Sequence, residues 1–327
     1  MRSAEMIELW RGGRPESLHR GHAVICDSKG VVEAWGIPDT VVFPRSSCKM
    51  VQALPLLESG AADAAGLTDR HLALACASHN GARLHLDAVR DWITGMGMGD
   101  DDLRCGSHLP RDKDEKRRLI CSDESPCQMH NNCSGKHAGF LTLNRHLGGD
   151  ADYIRPDHPV QMAMRQTFEE VTGETSPGFG IDGCSAPNFA TSLRGLATAM
   201  AKFANPGGDL RGQAMRRLVD AMRNHPALVA GEGRACTELM RAMKGRVAVK
   251  TGAEGVFVAI IPDLGLGCAV KITDGATRAS EAAITAILVH LGVLEAQHPV
   301  VDRFLNGPIT NWRGMVTGEM RTAAGFP

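Results

Sequence analysis

The sequence predicts an α/β fold, with an antiparallel sheet built from strands at both ends of the chain and flanked by helices. Three observations predict it. Short strand-like runs separated by Gly- and Ser-containing turns cluster near the start. A second cluster of such runs lies near residues 245–275. Amphipathic helical runs fill the sequence between them, and one more closes it.

At the N-terminal end, "MIELWRGG", "HAVICDSKG" and "VVEAWG" read as three strands. The run "KMVQALPLLESG" has helical spacing, is bent by Pro55 and is ended by Gly60. Thr68 is a good N-cap for "TDRHLALACAS". "ARLHLDAVRDWITGMG", "PDHPVQMAMRQTFEEVTG", "SAPNFATSLRGLATAMAKFAN" and "RGQAMRRLVDAMRNHP" follow as amphipathic helices. "GRVAVKTGAEGVFVAIIPDLGLGCAVKITDG" then reads as three antiparallel strands turning at "GAEG" and "PDLG". "TRASEAAITAILVHLGVL" is the closing helix. Strands that pair from the two ends bind the chain together, so a single domain over residues 1–327 is expected.

Composition excludes several function classes. With 36 basic and 37 acidic residues the net charge is −1, which gives no electrostatic footprint for nucleic acid or an anionic membrane. The opening "MRSAEMIELWRGGRPES" lacks an apolar core of signal-peptide length, and no long apolar run follows, so a cytoplasmic protein is expected. The ten cysteines are accordingly read as thiols, most of them small buried hydrophobes in apolar runs. The polar stretch "CSDESPCQMHNNCSGKH" differs, gathering three Cys and two His within residues 121–137.

The chemistry begins at "FPRSSCKM". Ser46 and Lys49 are three residues apart and so share one face of a helix. A lysine at a helix start is unfavourable for the helix dipole, yet there it suits a base that must deprotonate a serine. Taken alone, the spacing is equally that of a capping serine and a surface lysine. Two further stretches add weight, Ser78-His79-Asn80 in "ACASHN" and Lys250-Thr251-Gly252 in "VAVKTGAEG". Ser-x-x-Lys, Ser-x-Asn and Lys-Thr-Gly in this order form the three-part signature of penicillin-recognising serine hydrolases. In that reading Lys250 projects from a strand and makes a second Ser–amine pair with Ser78. The alternative for Ser78 is a helix-end hydroxyl and for Lys250 a surface strand lysine.

The short span between Lys49 and Ser78 and the blocks "NNCSGKHAGF" and "GIDGCSAPNFA" depart from β-lactamases. With "RSSCKMVQALPLLESG", "ACASHNG", "KTGAEGVF" and "GPITNWRGMVTGEMR", these blocks resemble the rhizobial-type, or class 3, L-asparaginases of the asparaginase II family, in order over residues 45–321. The resemblance implies a serine β-lactamase-like fold, hydrolysis of L-asparagine to L-aspartate and ammonia, and a homodimer. It implies two adjacent Ser–Lys pairs, Ser46 with Lys49 and Ser78 with Lys250. It also implies a zinc site of Cys133, Lys136 and Cys184, with Asp182 beside the metal. Spacing alone leaves Cys121, Cys127, His130 and His137 as further candidate ligands, since no Cys-x-x-Cys pair is present.

His79, Asn80 and Glu254 are candidates to line the substrate site. Arg45 fits either support of a substrate carboxylate or a surface ion pair. Which of Ser46 and Ser78 is the nucleophile is not ranked by spacing. A β-lactam hydrolase and a non-catalytic zinc protein are the competing readings. The two quoted blocks weigh against the first, and the lack of zinc-finger spacing weighs against the second.

Overall fold

The computed structural model describes residues 2–327. They form two compact units. The first comprises Met1–Ser47, Thr191–Asn205 and Glu238–Pro327; the second comprises Cys48–Ala190 and Pro206–Thr237.

The first unit holds the sheet. Its strands, together with four short ones elsewhere in the chain, are β1 (Ala4–Arg11), β2 (Arg14–Asp27), β3 (Gly30–Trp35), β4 (Val41–Val42), β5 (Phe179–Ile181), β6 (Pro187–Phe189), β7 (Thr191–Ser192), β8 (Ala248–Thr251), β9 (Val256–Ile261), β10 (Leu266–Ile272), β11 (Pro308–Thr310) and β12 (Val316–Thr322). The order is β11-β12-β1-β2-β10-β9-β8, with β3 also on β2, and every pairing is antiparallel. Both ends of the chain therefore meet in one sheet, as the sequence predicts. β2 is the longest strand, pairing β1 along its first half and β10 and β3 along its second.

Every residue of β9, "VFVAII", is buried, which requires cover on both faces. The helices Leu193–Ala204 and Thr277–His290 both pack on β9 and β10. The first lies so close to β10 that a Cβ on Gly267 would sit 2.1 Å from the Ala201 nitrogen. Small β4–β7 pairing ties Val41–Val42 to Thr191–Ser192.

The second unit is helical. Its central helix, Ser134–Leu147, is buried along its first three turns and packs on the helices Asp69–Ala75, Arg83–Gly95 and Pro159–Thr172. Thr68 caps Asp69–Ala75 as expected, with His71 closing the box by accepting from the Thr68 backbone N–H at 3.1 Å.

Two elements differ from the sequence reading. The stretch "SAPNFATSLRGLATAMAKFAN" is not one helix. Pro187–Phe189 pairs with Phe179–Ile181 as a hairpin, and the helix starts at Leu193, where the Ser192 hydroxyl accepts from the Gly195 N–H at 2.8 Å. A cap serine and a proline without an N–H set that boundary. The helix after Pro44 is broken rather than bent. A 3₁₀ turn over Arg45–Cys48 runs into the helix Lys49–Gln52, and a new helix, Leu54–Glu58, starts after Ala53. Pro55 has no N–H to give the Val51 carbonyl, so the ladder stops there. Gly60 ends the segment at φ 80°, as expected.

Candidate active site

Lys49 is the hub of the second unit's polar interior. It is only 1% exposed. Its Nζ donates to Ser78 Oγ at 3.0 Å and to Cys133 Sγ at 3.1 Å, and also to the Ala77 carbonyl. Three acceptors surround the amine, which is what lets so hydrophilic a group be buried. Ser78 is held by its own backbone. It follows the helix Asp69–Ala75, its N–H donates to the Val229 carbonyl at 2.9 Å, and the next N–H, of His79, donates to Asn132 at 3.2 Å. The sequence pattern suggests Ser46–Lys49 and Ser78–Lys250 pairs; the fold adds a direct Lys49–Ser78 bond.

A second cluster lies against the first through Cys133. Cys133 precedes the helix Ser134–Leu147, and its N–H is held by Asn131 Oδ1 at 2.8 Å. Lys136 sits in the first turn of that helix, over the Phe140 ring. Cys184 lies in the β5–β6 turn, where Asp182 takes hydrogen bonds from the Gly183 and Ser185 N–H groups. Lys136 Nζ donates to Cys184 Sγ at 3.0 Å. The neighbouring Cys133 thiol holds Cys184 below the usual thiol range, with Lys136 assisting against burial. Cys184, together with burial, pushes Cys133 up. For Lys136, burial opposes the charge, but Cys184 and Cys133 outweigh it and the amine is pushed up.

Gly135 explains part of the "NNCSGKH" block. A Cβ there would lie 2.4 Å from the Leu74 carbonyl oxygen, so the helix carrying Lys136 rests directly on the backbone leading to Ser78. Gly135→Ala is expected to cost about 1–3 kcal/mol of stability, because neither backbone can yield. Denaturant unfolding checks this; an unchanged midpoint would mean the two helices separate freely.

The remaining candidates are distributed as follows. His79 is buried; its Nδ1 accepts from the Gly81 N–H at 3.2 Å and its Nε2 bonds Ser134 Oγ at 2.9 Å. Burial, and then charge repulsion from His85, hold its pKa well below the usual range; with Nδ1 accepting from Gly81, Nε2 carries the proton. Ser134 passes that bond to the Met129 carbonyl at 2.9 Å. Asn80 accepts from the Ala82 N–H at 3.2 Å and packs where a Cβ on Gly231 would fall, 2.4 Å away. Ser134 and Asn131 position the site without having been singled out from the sequence; both lie inside the quoted block, which was the only available signal.

Ser46, Arg45, Lys250 and Glu254 belong to the first unit. Ser46 is half-buried in the 3₁₀ turn. Arg45, just before it, has φ 53°, a left-handed conformation that costs a non-glycine residue roughly 1 kcal/mol. Such strain concentrates at functional turns. Lys250 is wholly buried on β8 and donates to the Thr251 carbonyl at 2.8 Å. Gly252, next along, is packed against the serine turn: a Cβ there would sit 2.6 Å from the Pro44 oxygen and 3.2 Å from the Ser47 nitrogen. The glycine of Lys-Thr-Gly therefore lets the strand end abut the Ser46-Ser47 turn. Glu254 (φ 57°) and Gly255 (φ 68°) form the left-handed β8–β9 turn, and the Glu254 carbonyl accepts from Lys271 Nζ.

The other sulfur and imidazole candidates do not gather. Cys121 is exposed. Cys127 and His130 bond each other at 3.2 Å, and His130 faces Glu115. His137 Nδ1 lies 2.9 Å from the Tyr153 hydroxyl. Among the described residues, no three His, Cys, Asp or Glu side chains form a metal-binding group.

The second unit thus holds a buried lysine bonded to a serine, and the first holds a Lys-Thr-Gly strand end packed on a serine turn. The sequence profile of L-asparaginase II matches residues 7–322, and the chain belongs to that family. It is an enzyme of the amidohydrolase class, in a family that acts on the amide bond of asparagine. No curated protein matches the sequence. Among solved structures, it is similar to a β-lactamase from Mycobacterium bovis, with 13% identity and a TM-score of 0.47, over 84% of this chain and 95% of that one. An octameric penicillin-binding protein homologue from Pyrococcus abyssi shows 12% identity and a TM-score of 0.37, over 90% and 80%. Likenesses at this level say nothing of chemistry. Among the described residues, no helix is long and apolar enough to cross a membrane.

Proposed function

We propose that the protein hydrolyses the side-chain amide of L-asparagine through a serine nucleophile activated by Ser–Lys pairs. The buried Lys49 Nζ–Ser78 Oγ bond of 3.0 Å carries this reading. Ser46 attacks the amide carbon as Lys49, acting as the base directly or through Ser78, takes its proton. The tetrahedral oxyanion is met by backbone N–H groups of the serine turn. The Ser–Lys network, including Lys250, protonates the departing ammonia, and water then cleaves the β-aspartyl ester on Ser46. Arg45, His79, Asn80, Asp182 and Glu254 are assigned to the walls of the substrate site. Ammonia release from asparagine and glutamine, measured beside turnover of a chromogenic β-lactam, tests the reading. Turnover of the β-lactam alone would make the protein a penicillin-recognising hydrolase instead.

We further propose that Cys133, Lys136 and Cys184 hold zinc. The donor chemistry fits: two sulfurs and one amine are each no more than 3% exposed, Lys136 Nζ lies 3.0 Å from Cys184 Sγ, and Cys133 stands one helical turn before Lys136. Bound there, zinc supplies a fixed positive charge beside the site. Its binding must expel a proton from Cys133 and from Lys136, both of which hold theirs at neutral pH. Zinc affinity is therefore expected to fall as pH falls, and less steeply in Lys136→Ala, which has one proton fewer to lose. Cys184→Ser is expected to lose zinc, stay folded and bind asparagine more weakly. Metal content, thermal melting and KM check these three points. Unfolding without zinc would make the site a structural staple, and full zinc in Cys184→Ser would place the ligands elsewhere. From the family resemblance we also propose a homodimer, which light scattering in solution tests.

A further inference from the structure

We propose that His79 is a positioning residue for the base: through Asn132 and Ser134 it fixes the gap between Ser78 Oγ and Cys133 Sγ in which the Lys49 amine sits. This deepens, and rests on, the reading of Lys49 as the base that acts on serine.

The lysine cannot set that gap itself. Its amine ends a flexible four-carbon stem and goes to the acceptors that the fold presents. Two of them, Ser78 Oγ at 3.0 Å and Cys133 Sγ at 3.1 Å, are carried by segments far apart in sequence. The next residue along each segment joins the two. His79 follows Ser78, Ser134 follows Cys133, and His79 Nε2 donates to Ser134 Oγ at 2.9 Å in a buried bond. The His79 N–H donates to the Asn132 carbonyl at 3.2 Å. One residue thus grips the chain on both sides of Cys133. The contacts close a ring that runs from Lys49 through Ser78, His79, Ser134 and Cys133 back to the lysine.

Each part of the clamp is itself held. The Ser134 hydroxyl donates onward to the Met129 carbonyl at 2.9 Å, which leaves its oxygen free to accept from the imidazole. The imidazole accepts the Gly81 N–H on Nδ1 at 3.2 Å and stacks on His85, with centroids 4.6 Å and planes 10° apart. His85 is tethered in turn, its Nε2 donating to the Ala227 carbonyl at 2.9 Å. Both nitrogens of His79 are therefore engaged, and the residue is 1% exposed. It shapes the substrate wall by holding it, with no ring nitrogen left to bond a substrate. Misplacing a reacting group by about 1 Å costs roughly 10²-fold in rate, so a bond that fixes both partners of the base acts on kcat.

The test compares His79→Gln, His79→Leu and Ser134→Ala with Lys49→Met in the full-length protein. Ammonia release from asparagine is measured and normalised to folded protein by thermal melting. Glutamine keeps a side-chain N–H to offer Ser134; leucine fills the space without one. His79→Leu and Ser134→Ala are each expected to lower kcat by roughly 10- to 100-fold, with KM within about twofold of the starting protein. His79→Gln is expected to recover most of that loss. In the Lys49→Met background, adding His79→Leu should cost less than about twofold more, because no amine is left to place. Ser134→Ala deletes a single oxygen and reads the same bond should His79→Leu not fold. A packing role would reverse the order, with leucine better than glutamine in so buried a place, and would overturn the proposal. So would an unchanged kcat in folded Ser134→Ala, a raised KM with kcat unchanged, or a fully multiplicative loss beside Lys49→Met. If Lys49→Met itself keeps full turnover, the Ser–Lys reading fails and the clamp has no base to position.

Discussion

Ser46→Ala is expected to remove asparagine hydrolysis almost completely, by roughly 10⁴–10⁶-fold in kcat, while leaving the fold intact. The side chain is half-buried in a 3₁₀ turn whose backbone is fixed independently, by the Ser47 N–H on the Pro44 carbonyl at 3.2 Å. Its hydroxyl can be deleted without opening a cavity larger than one oxygen. Ammonia release and thermal melting on the same preparation decide the matter. Ser78 is the rival, since it already receives the Lys49 hydrogen bond. A folded Ser46→Ala that turns over asparagine at near the wild-type rate would make Ser78 the nucleophile.

The lysines should give the second largest effect. Lys49→Met and Lys250→Met are each expected to lower kcat by roughly 10²–10⁴-fold, the usual reach of a general base. If the two amines serve one proton network, the double variant should lose far less than the product of the single losses. Multiplicative losses would assign them independent tasks. Lys49→Met also strips donors from the Ala77 carbonyl, Ser78 Oγ and Cys133 Sγ, so a stability loss of about 1–3 kcal/mol is expected beside the kinetic one. Activity must therefore be normalised to folded protein, and Lys250→Met, on a β-strand, provides the comparison.

Much of this could be read before the fold was known. The N- and C-terminal strands were legible because alternation and turn residues are local signals; "VFVAII" between two glycine turns could hardly be anything but a buried strand. Helix Asp69–Ala75 announced itself through Thr68. The central helix Ser134–Leu147 did not, because its first three turns are buried on every side and it has no polar stripe to set a period. Helix Lys113–Cys121 was hidden for the opposite reason, being charged along most of its length, although Asp112 caps it by accepting from the Glu115 N–H at 3.0 Å. The division of "SAPNFATSLRG" into two strand pieces and a helix depended on partners at Phe179–Ile181 and Val41–Val42, far off in sequence.

At the site, the sequence by itself singled out the residues to which the chemistry is assigned in the proposal. Serines and lysines at motif spacing, and a Cys-x-x-Lys on what proved to be a helix start, are statements about residue type and short separation, which a chain displays directly. Only the tertiary structure decided who touches whom. It joined Lys49 to Ser78, bridged the Ser–Lys pair to the sulfur cluster through Cys133, and brought Cys184 onto Lys136 across 48 residues of chain. Those contacts arise because buried ammonium groups must find acceptors wherever the packing of helices and hairpins leaves them, and sequence distance sets no limit on which acceptors those are.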